Sequence, residues 1–93
     1  MTVRVQIPGA FRVHTAGQKT VSLEGGTVGQ VLAALIAAHP ALKPQLYAPN
    51  GDLRRYINVF RGDLDIRALE HLATAVEDGD TLVIIPAISG GGR

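Results

Sequence analysis

Three glycines, Gly90, Gly91 and Gly92, follow an apolar run and precede Arg93 in the stretch TLVIIPAISGGGR. Glycine has no Cβ, so its backbone enters dihedrals and narrow slots closed to other residues. Ala87 to Gly91 is five residues, which reach about 16–18 Å when extended. A domain built this way holds one carboxylate at the end of a thin, flexible rod. Such a rod suits the tunnel of a partner enzyme, and the chemistry is then done to the carboxylate by that partner.

The side chains offer little competing chemistry. The chain has no cysteine, which excludes a disulfide scaffold and any thiol or persulfide on this chain. His14, His39 and His71 are too scattered for the spacing of a metal site. They read as surface or helix-end residues. Asp63 and Asp65 flank a turn, and turn chemistry accounts for them. Arg61-Gly62-Asp63 matches an adhesion tripeptide that chance alone produces often. The glycine run is no phosphate loop, because neither a Lys-Ser/Thr pair nor a helix follows it. Arg54 and Arg55 read as solvated, with steering of an acidic partner surface as the alternative.

The rest of the chain must position the tail. Ninety-three residues with 46% hydrophobic and 18% charged side chains are the composition of one globular domain. A formal net charge of +1 gives no bulk attraction for nucleic acid or an anionic membrane. The longest apolar runs fall far short of the roughly 20 residues that cross a bilayer. The N-terminus carries no apolar signal core. The expected location is therefore cytoplasmic, with no nucleic-acid and no membrane partner.

TVRVQI alternates, with Val3, Val5 and Ile7 on one side, which is the period of a half-buried strand. KTVSLE alternates again, with Val21 and Leu23 inward, so the two form a hairpin with a loose connection. GGTVGQVLAALIAAHP then changes period. Thr27 and Gln30 have the spacing of a capping box. Val28, Val31, Leu32, Leu35 and Ile36 make one helical stripe. Pro40 ends that helix after His39. Residues 40–54 read as irregular, with Pro40, Pro44, Pro49 and the turn pair Asn50-Gly51. RRYINVFRGD is a third strand, with Ile57 and Val59 in the core and Tyr56 and Phe60 on the opposite face. RGDLDIR turns back, and ALEHLATAV forms a short helix or a 3-10 turn. Asp78-Gly79-Asp80 is a turn into TLVIIP, a strong strand that Pro86 ends.

The order strand, strand, helix, strand, short segment, strand implies an α+β domain. A mixed sheet of four to five strands packs on one main helix. It is the order of the β-grasp, or ubiquitin-like, fold, whose last strand is central and parallel to the first. The domain spans residues 1–86 and the Gly-rich tail residues 87–93. Tyr56 and Phe60 are then either an exposed apolar patch for partner docking or are covered by the segment around residues 66–76.

The Thr27-started helix, INVFRGD, DGDTLVIIPAISGG and the overall length resemble the ubiquitin-like sulfur carrier family. That family includes the small subunit of molybdopterin synthase and the thiamine-pathway and cysteine-pathway carriers. FRVHTAGQKTV, RRYINVF and LATAVEDGDTLVIIPA resemble the cysteine branch most. The resemblance covers nearly the whole chain. It implies a protein that is not itself an enzyme and holds no cofactor.

By the resemblance, a ubiquitin-activating-like adenylyltransferase uses ATP to adenylate the terminal glycine, and a sulfur donor displaces AMP to leave a thiocarboxylate. In the cysteine branch the acceptor is a pyridoxal-phosphate cysteine synthase, and a zinc peptidase releases the product. The spacing Pro-x-x-x-Gly-Gly from Pro86 lands on Gly90 and Gly91. Gly92 and Arg93 then lie beyond the pair. A peptidase trims them, or the activating enzyme accepts a longer tail, or the tail is not activated. Trimming to Gly91 is the preferred reading, with Gly92 as second choice. Tyr56, Phe60 and Ile88 are the expected partner-binding residues. The competing functions are a modifier joined to lysines, a fixed molybdopterin-synthase subunit, and a plain interaction domain.

Overall fold

The computed structural model describes residues 2–87. Five strands form one sheet in the order β2-β1-β5-β3-β4. They are β1 (Thr2–Gln6), β2 (Thr20–Glu24), β3 (Ile57–Arg61), β4 (Leu64–Asp65) and β5 (Thr81–Pro86). β1 and β5 run parallel, with Val5 opposite Leu82, and every other pairing is antiparallel. The last strand is thus central, as a β-grasp domain requires.

One face of the sheet packs on α1 (Val28–Ala38). Val3, Val5, Ile57, Val59, Leu82 and Ile84 meet Val28, Val31, Leu32 and Leu35, all at most 2% exposed. Strand period and helix period each deliver one apolar face, and joining them makes the core. Ile36 sits at the margin of the helical stripe and is only half-buried. The helix starts at Thr27, whose hydroxyl accepts the Gln30 N–H at 3.2 Å. Gln30 Oε1 returns to the N–H of Gly26 at 2.8 Å, one residue further back than the usual capping box.

Residues 40–46 correct the expectation of an irregular stretch. A 3-10 turn over Pro40–Leu42 runs into a single α-turn, α2 (Lys43–Leu46). Leu42 and Leu46 are 1% and 0% exposed and belong to the core. Proline is tolerated in a first turn, where its missing N–H would have no partner. Pro40 and Pro44 therefore start turns here. The β1–β2 connection is likewise ordered as a 3-10 helix over Gly9–Thr15, with Phe11 buried. The short segment after β4 forms two 3-10 turns, Ile66–Ala68 and His71–Ala73.

Gly79 makes the turn into β5 at φ +87°, a left-handed conformation that favours glycine. Its N–H bonds the Thr2 carbonyl at 2.8 Å, and the Asp78 carboxylate accepts the Thr2 N–H at 2.8 Å. Asp80 completes this end. Its carboxylate accepts the Glu77 N–H at 2.7 Å and the Arg61 Nε–H at 2.9 Å. The backbone bond from Glu77, helped by the Arg61 guanidinium, holds its pKa below the ordinary carboxylate value.

Two measurements check this account. Leu46→Ala is expected to cost about 2–5 kcal/mol in urea denaturation, and the cost would be negligible if residues 43–46 were a surface loop. The lowered Asp80 pKa stabilises the fold fully above its unfolded value of about 3.9, and that contribution is lost as pH falls through the folded value. Asp80→Asn is therefore expected to be less stable than the parent at neutral pH and to lose less stability on acidification.

Candidate functional site

The site is the end of β5 and the open face of the sheet beside it. Antiparallel partners point to the same face. Phe60 faces Val83 and Asn58 faces Ile85. Tyr56 continues that face one step beyond β3, and its carbonyl accepts the Ala87 N–H at 2.6 Å. Ile85 is 44% exposed and Tyr56 39%, while Phe60 and Val83 are half-buried. Tyr56, Phe60, Val83 and Ile85 thus make one apolar patch that runs to the root of the tail.

The segment after β4 leaves this patch open. Ile66 and Val76 enter the core on the helix side. Leu72 packs on α1 at Gly29, where a Cβ would stand 3.1 Å from the Leu72 carbonyl oxygen. The N–H of Val28 bonds the Thr74 carbonyl at 2.9 Å, tying the segment to the helix start. Of the two readings of Tyr56 and Phe60, the outward-facing one matches these positions.

Arg67 fixes the strand that carries the patch. β4 pairs only with Phe60 and Arg61, so the outer edge of β3 lacks a neighbour before that point. Arg67 Nη2 donates to the carbonyls of Arg55 at 2.8 Å and Ile57 at 3.0 Å. Its Nη1 donates to Asn58 Oδ1. The Arg67 N–H in turn bonds Asp65 Oδ1 at 2.9 Å. A planar guanidinium with several donors replaces the missing strand along this edge.

Val83, Ile85 and Arg67 were not among the expected site residues. The continuous LVII run suits a strand with neighbours on both sides, which β5 has in β1 and β3, and within it Leu82 and Ile84 are the buried pair. The available signal was the alternation itself, which leaves Val83 and Ile85 apolar on the face shared with Tyr56 and Phe60. Ile88, Gly90, Gly91 and Gly92 lie outside the described residues.

The remaining chemistry-bearing side chains stay apart. His14 and His39 are half-buried, the latter capping the end of α1, and His71 is exposed. No group of three metal-binding side chains exists among the described residues. Asp65 caps a 3-10 turn, as turn chemistry predicts. A cleft of about 320 Å³ beside α2 is lined by Lys43, Pro44, Tyr47 and Arg54. Burial there pushes the Tyr47 phenol above its ordinary pKa. Among the described residues, no helix is long and apolar enough to cross a membrane.

The ThiS family model matches residues 5–91. The sulfur carrier protein CysO of Mycobacterium tuberculosis is 43% identical over 93 residues, covering 98% of this chain and 100% of its own. Small archaeal modifier protein 1 of Haloferax volcanii is 38% identical, covering 84% of this chain and 88% of its own. Among solved structures, the Amycolatopsis orientalis BexX/CysO complex contains a chain that superposes with a TM-score of 0.87 at 40% identity, over 96% of this chain and 99% of that one. These neighbours and the sheet order establish the ubiquitin-like β-grasp fold.

The division of β5 between two faces has a direct test. Ile85→Ser is expected to change stability by less than about 1 kcal/mol, as surface substitutions do. Ile84→Ser, at a position 2% exposed, is expected to cost about 3 kcal/mol or more. Equal costs in urea denaturation would refute the assignment of faces.

Proposed function

Because the chain belongs to the ThiS family, we propose that it is a sulfur carrier whose tail, ending at Gly91, is activated and thiolated by partner enzymes. The observation that carries this reading is the continuity of the apolar face with the tail root. Tyr56, Phe60, Val83 and Ile85 surround the strand end from which the tail leaves. A partner that grips this face has the tail directed toward it. The catalytic groups belong to that partner.

The chemistry follows from the poor electrophilicity of a carboxylate. A ubiquitin-activating-like adenylyltransferase joins the Gly91 carboxylate to the α-phosphate of ATP and expels pyrophosphate. The mixed anhydride then has AMP as its leaving group. A sulfide-level nucleophile, hydrosulfide in the simplest case, attacks the acyl carbon, the C–O bond to AMP breaks, and the acyl carbon keeps the sulfur as a thiocarboxylate. The carrier needs no cysteine for this, and it has none. The thiocarboxylate donates its sulfur in biosynthesis, with a pyridoxal-phosphate cysteine synthase as acceptor, and a peptidase acts on the tail. Likeness to the CysO carriers supports the cysteine branch.

Gly92 and Arg93 are removed before activation. A side chain as long as arginine does not fit a channel shaped for glycine. Gly90 and Gly91 supply the Cβ-free stretch nearest the reacting carboxylate. A second reading, conjugation of the activated glycine to target lysines, is favoured by the likeness to small archaeal modifier protein 1.

Intact mass of untagged protein from its own cells is the deciding measurement. The expected species ends at Gly91 with one carboxylate oxygen exchanged for sulfur. In ATP–pyrophosphate exchange with the cognate adenylyltransferase, a chain truncated after Gly91 is expected to be a substrate without any peptidase, and the chain ending in Arg93 is not. Exchange by the Arg93-ended chain alone would refute the trimming step. Isopeptide-linked conjugates without any thiocarboxylate would favour the modifier reading.

A further inference from the structure

The net charge of +1 conceals a separation along the strands. Strand directions place the ends of β1 and β5 and the starts of β2 and β3 at the end from which the tail leaves. Arg12, Lys19, Arg54 and Arg55 lie at or just beyond those strand ends. The opposite end holds Glu24, Asp63, Glu77, Asp78 and Asp80. Arg4, opposite Thr81, and Arg61 are the cations at that end, and Arg61 is already engaged, with Asp80 at 2.9 Å and Glu77 at 3.7 Å.

The cations near the tail are differently placed. Among the described residues, Arg12, Lys19 and Arg55 form no ion pair. Lys19 and Arg55 are exposed, and Arg12 is half-buried with its Nε–H on the Ile7 carbonyl at 3.1 Å. The bond to Ile7 holds the Arg12 guanidinium in place. A cleft of about 220 Å³ opens beside β5, lined by Arg12, Lys19, Gln6, Thr20, Val83 and Ile84. It exists because the β1 ladder stops at Gln6 opposite Val83. The N–H groups that β1 turns toward β5, as Arg4 does to the Asp80 carbonyl, recur every second residue, and the one due after Gln6 would belong to Pro8, which has none to extend the ladder.

We infer that Arg12, Lys19 and Arg55 form a basic collar around the tail exit that docks on carboxylates rimming the mouth of the enzyme that receives the tail. This rests on the carrier reading and adds the electrostatic character of the partner. The apolar patch supplies contact area, whereas the collar supplies orientation. Attraction at the tail end turns the molecule tail-first during encounter. Charge of this kind acts on the association rate and on its salt dependence more than on the chemical step.

The test is the KM of the Gly91-ended chain in ATP–pyrophosphate exchange with the cognate adenylyltransferase, at low and at high salt. The variants are Lys19→Glu with Arg55→Glu, and Arg12→Gln separately, since Arg12 also holds the Ile7 carbonyl. Asp63→Lys at the opposite end is the control, and circular dichroism checks folding. The double variant is expected to raise KM about tenfold at low salt with kcat unchanged, and the difference should shrink at high salt as screening removes it. Arg12→Gln is expected to raise KM less, in the same direction, and the control not at all. A double-variant KM within twofold of the parent at low salt would overturn the collar while leaving the carrier reading intact. Absence of exchange by the parent itself would instead sink the carrier reading, and the collar with it.

Discussion

The parallel ladder between β1 and β5 is the constraint on which the rest of the structure depends. It joins Arg4 to Thr81 and Gln6 to Val83, residues from opposite ends of the chain. Parallel strands cannot be joined by a tight turn, so everything between them must cross over. The main helix, the turns after it and the β3–β4 hairpin all fall within that crossover. Docking β5 closes the sheet between β1 and β3 and puts Leu82 and Ile84 against the helix. The Asp78–Asp80 turn sets the register through its bonds to Thr2, and the Asp80 carbonyl continues it by accepting the Arg4 N–H.

The same ladder decides where the tail goes. A chain that ends on an edge strand can fray from the sheet one bond at a time. A chain that leaves from the central strand is held on both sides up to its exit. Here the β3 side holds to the last described residue, through the Ala87 bond to Tyr56. The β1 side ends earlier, at Val83, because Pro8 and Pro86 both lack the N–H that pairing needs. This asymmetry leaves an apolar platform on one flank of the exit and an open basic cleft on the other. The two prolines also blunt an exposed edge that would otherwise invite another strand.

A fold of this size has one hydrophobic core, and the helix occupies it. The outer sheet face is therefore free to be apolar without serving stability. Among the described residues Tyr56 and Ile85 are exposed there and Phe60 and Val83 half-buried, which is the kind of surface the proposed partner docking would use. Arg67 keeps it flat by holding the edge of β3 at two carbonyls and the Asn58 side chain. A mobile β3 edge would let Tyr56 and the tail root move together. Holding that edge places both in the fixed frame of the sheet.

Much of this was legible in the residues alone. Alternation identified β1, β2 and β3 and their inward positions, because burial on one side of a pleated strand imposes a period of two, and β-branched residues identified β5. The spacing of Val28, Val31, Leu32 and Leu35 identified the helix for the corresponding reason, and Thr27 with Gln30 marked its start. The Gly-rich tail and the absence of cysteine were properties of composition and needed no fold. Residues 40–46 were misread because prolines signal both loop and first turn, and only the core that receives Leu42 and Leu46 distinguishes them. Val83 and Ile85 were not singled out because an apolar run does not say which of its faces is covered; the helix lies on one side only. The Arg67 bonds and the gathering of Arg12, Lys19 and Arg55 at the tail exit link residues far apart in the chain. Local periodicity carries no information about such pairs, and strand order and direction, which belong to the tertiary structure, decided them.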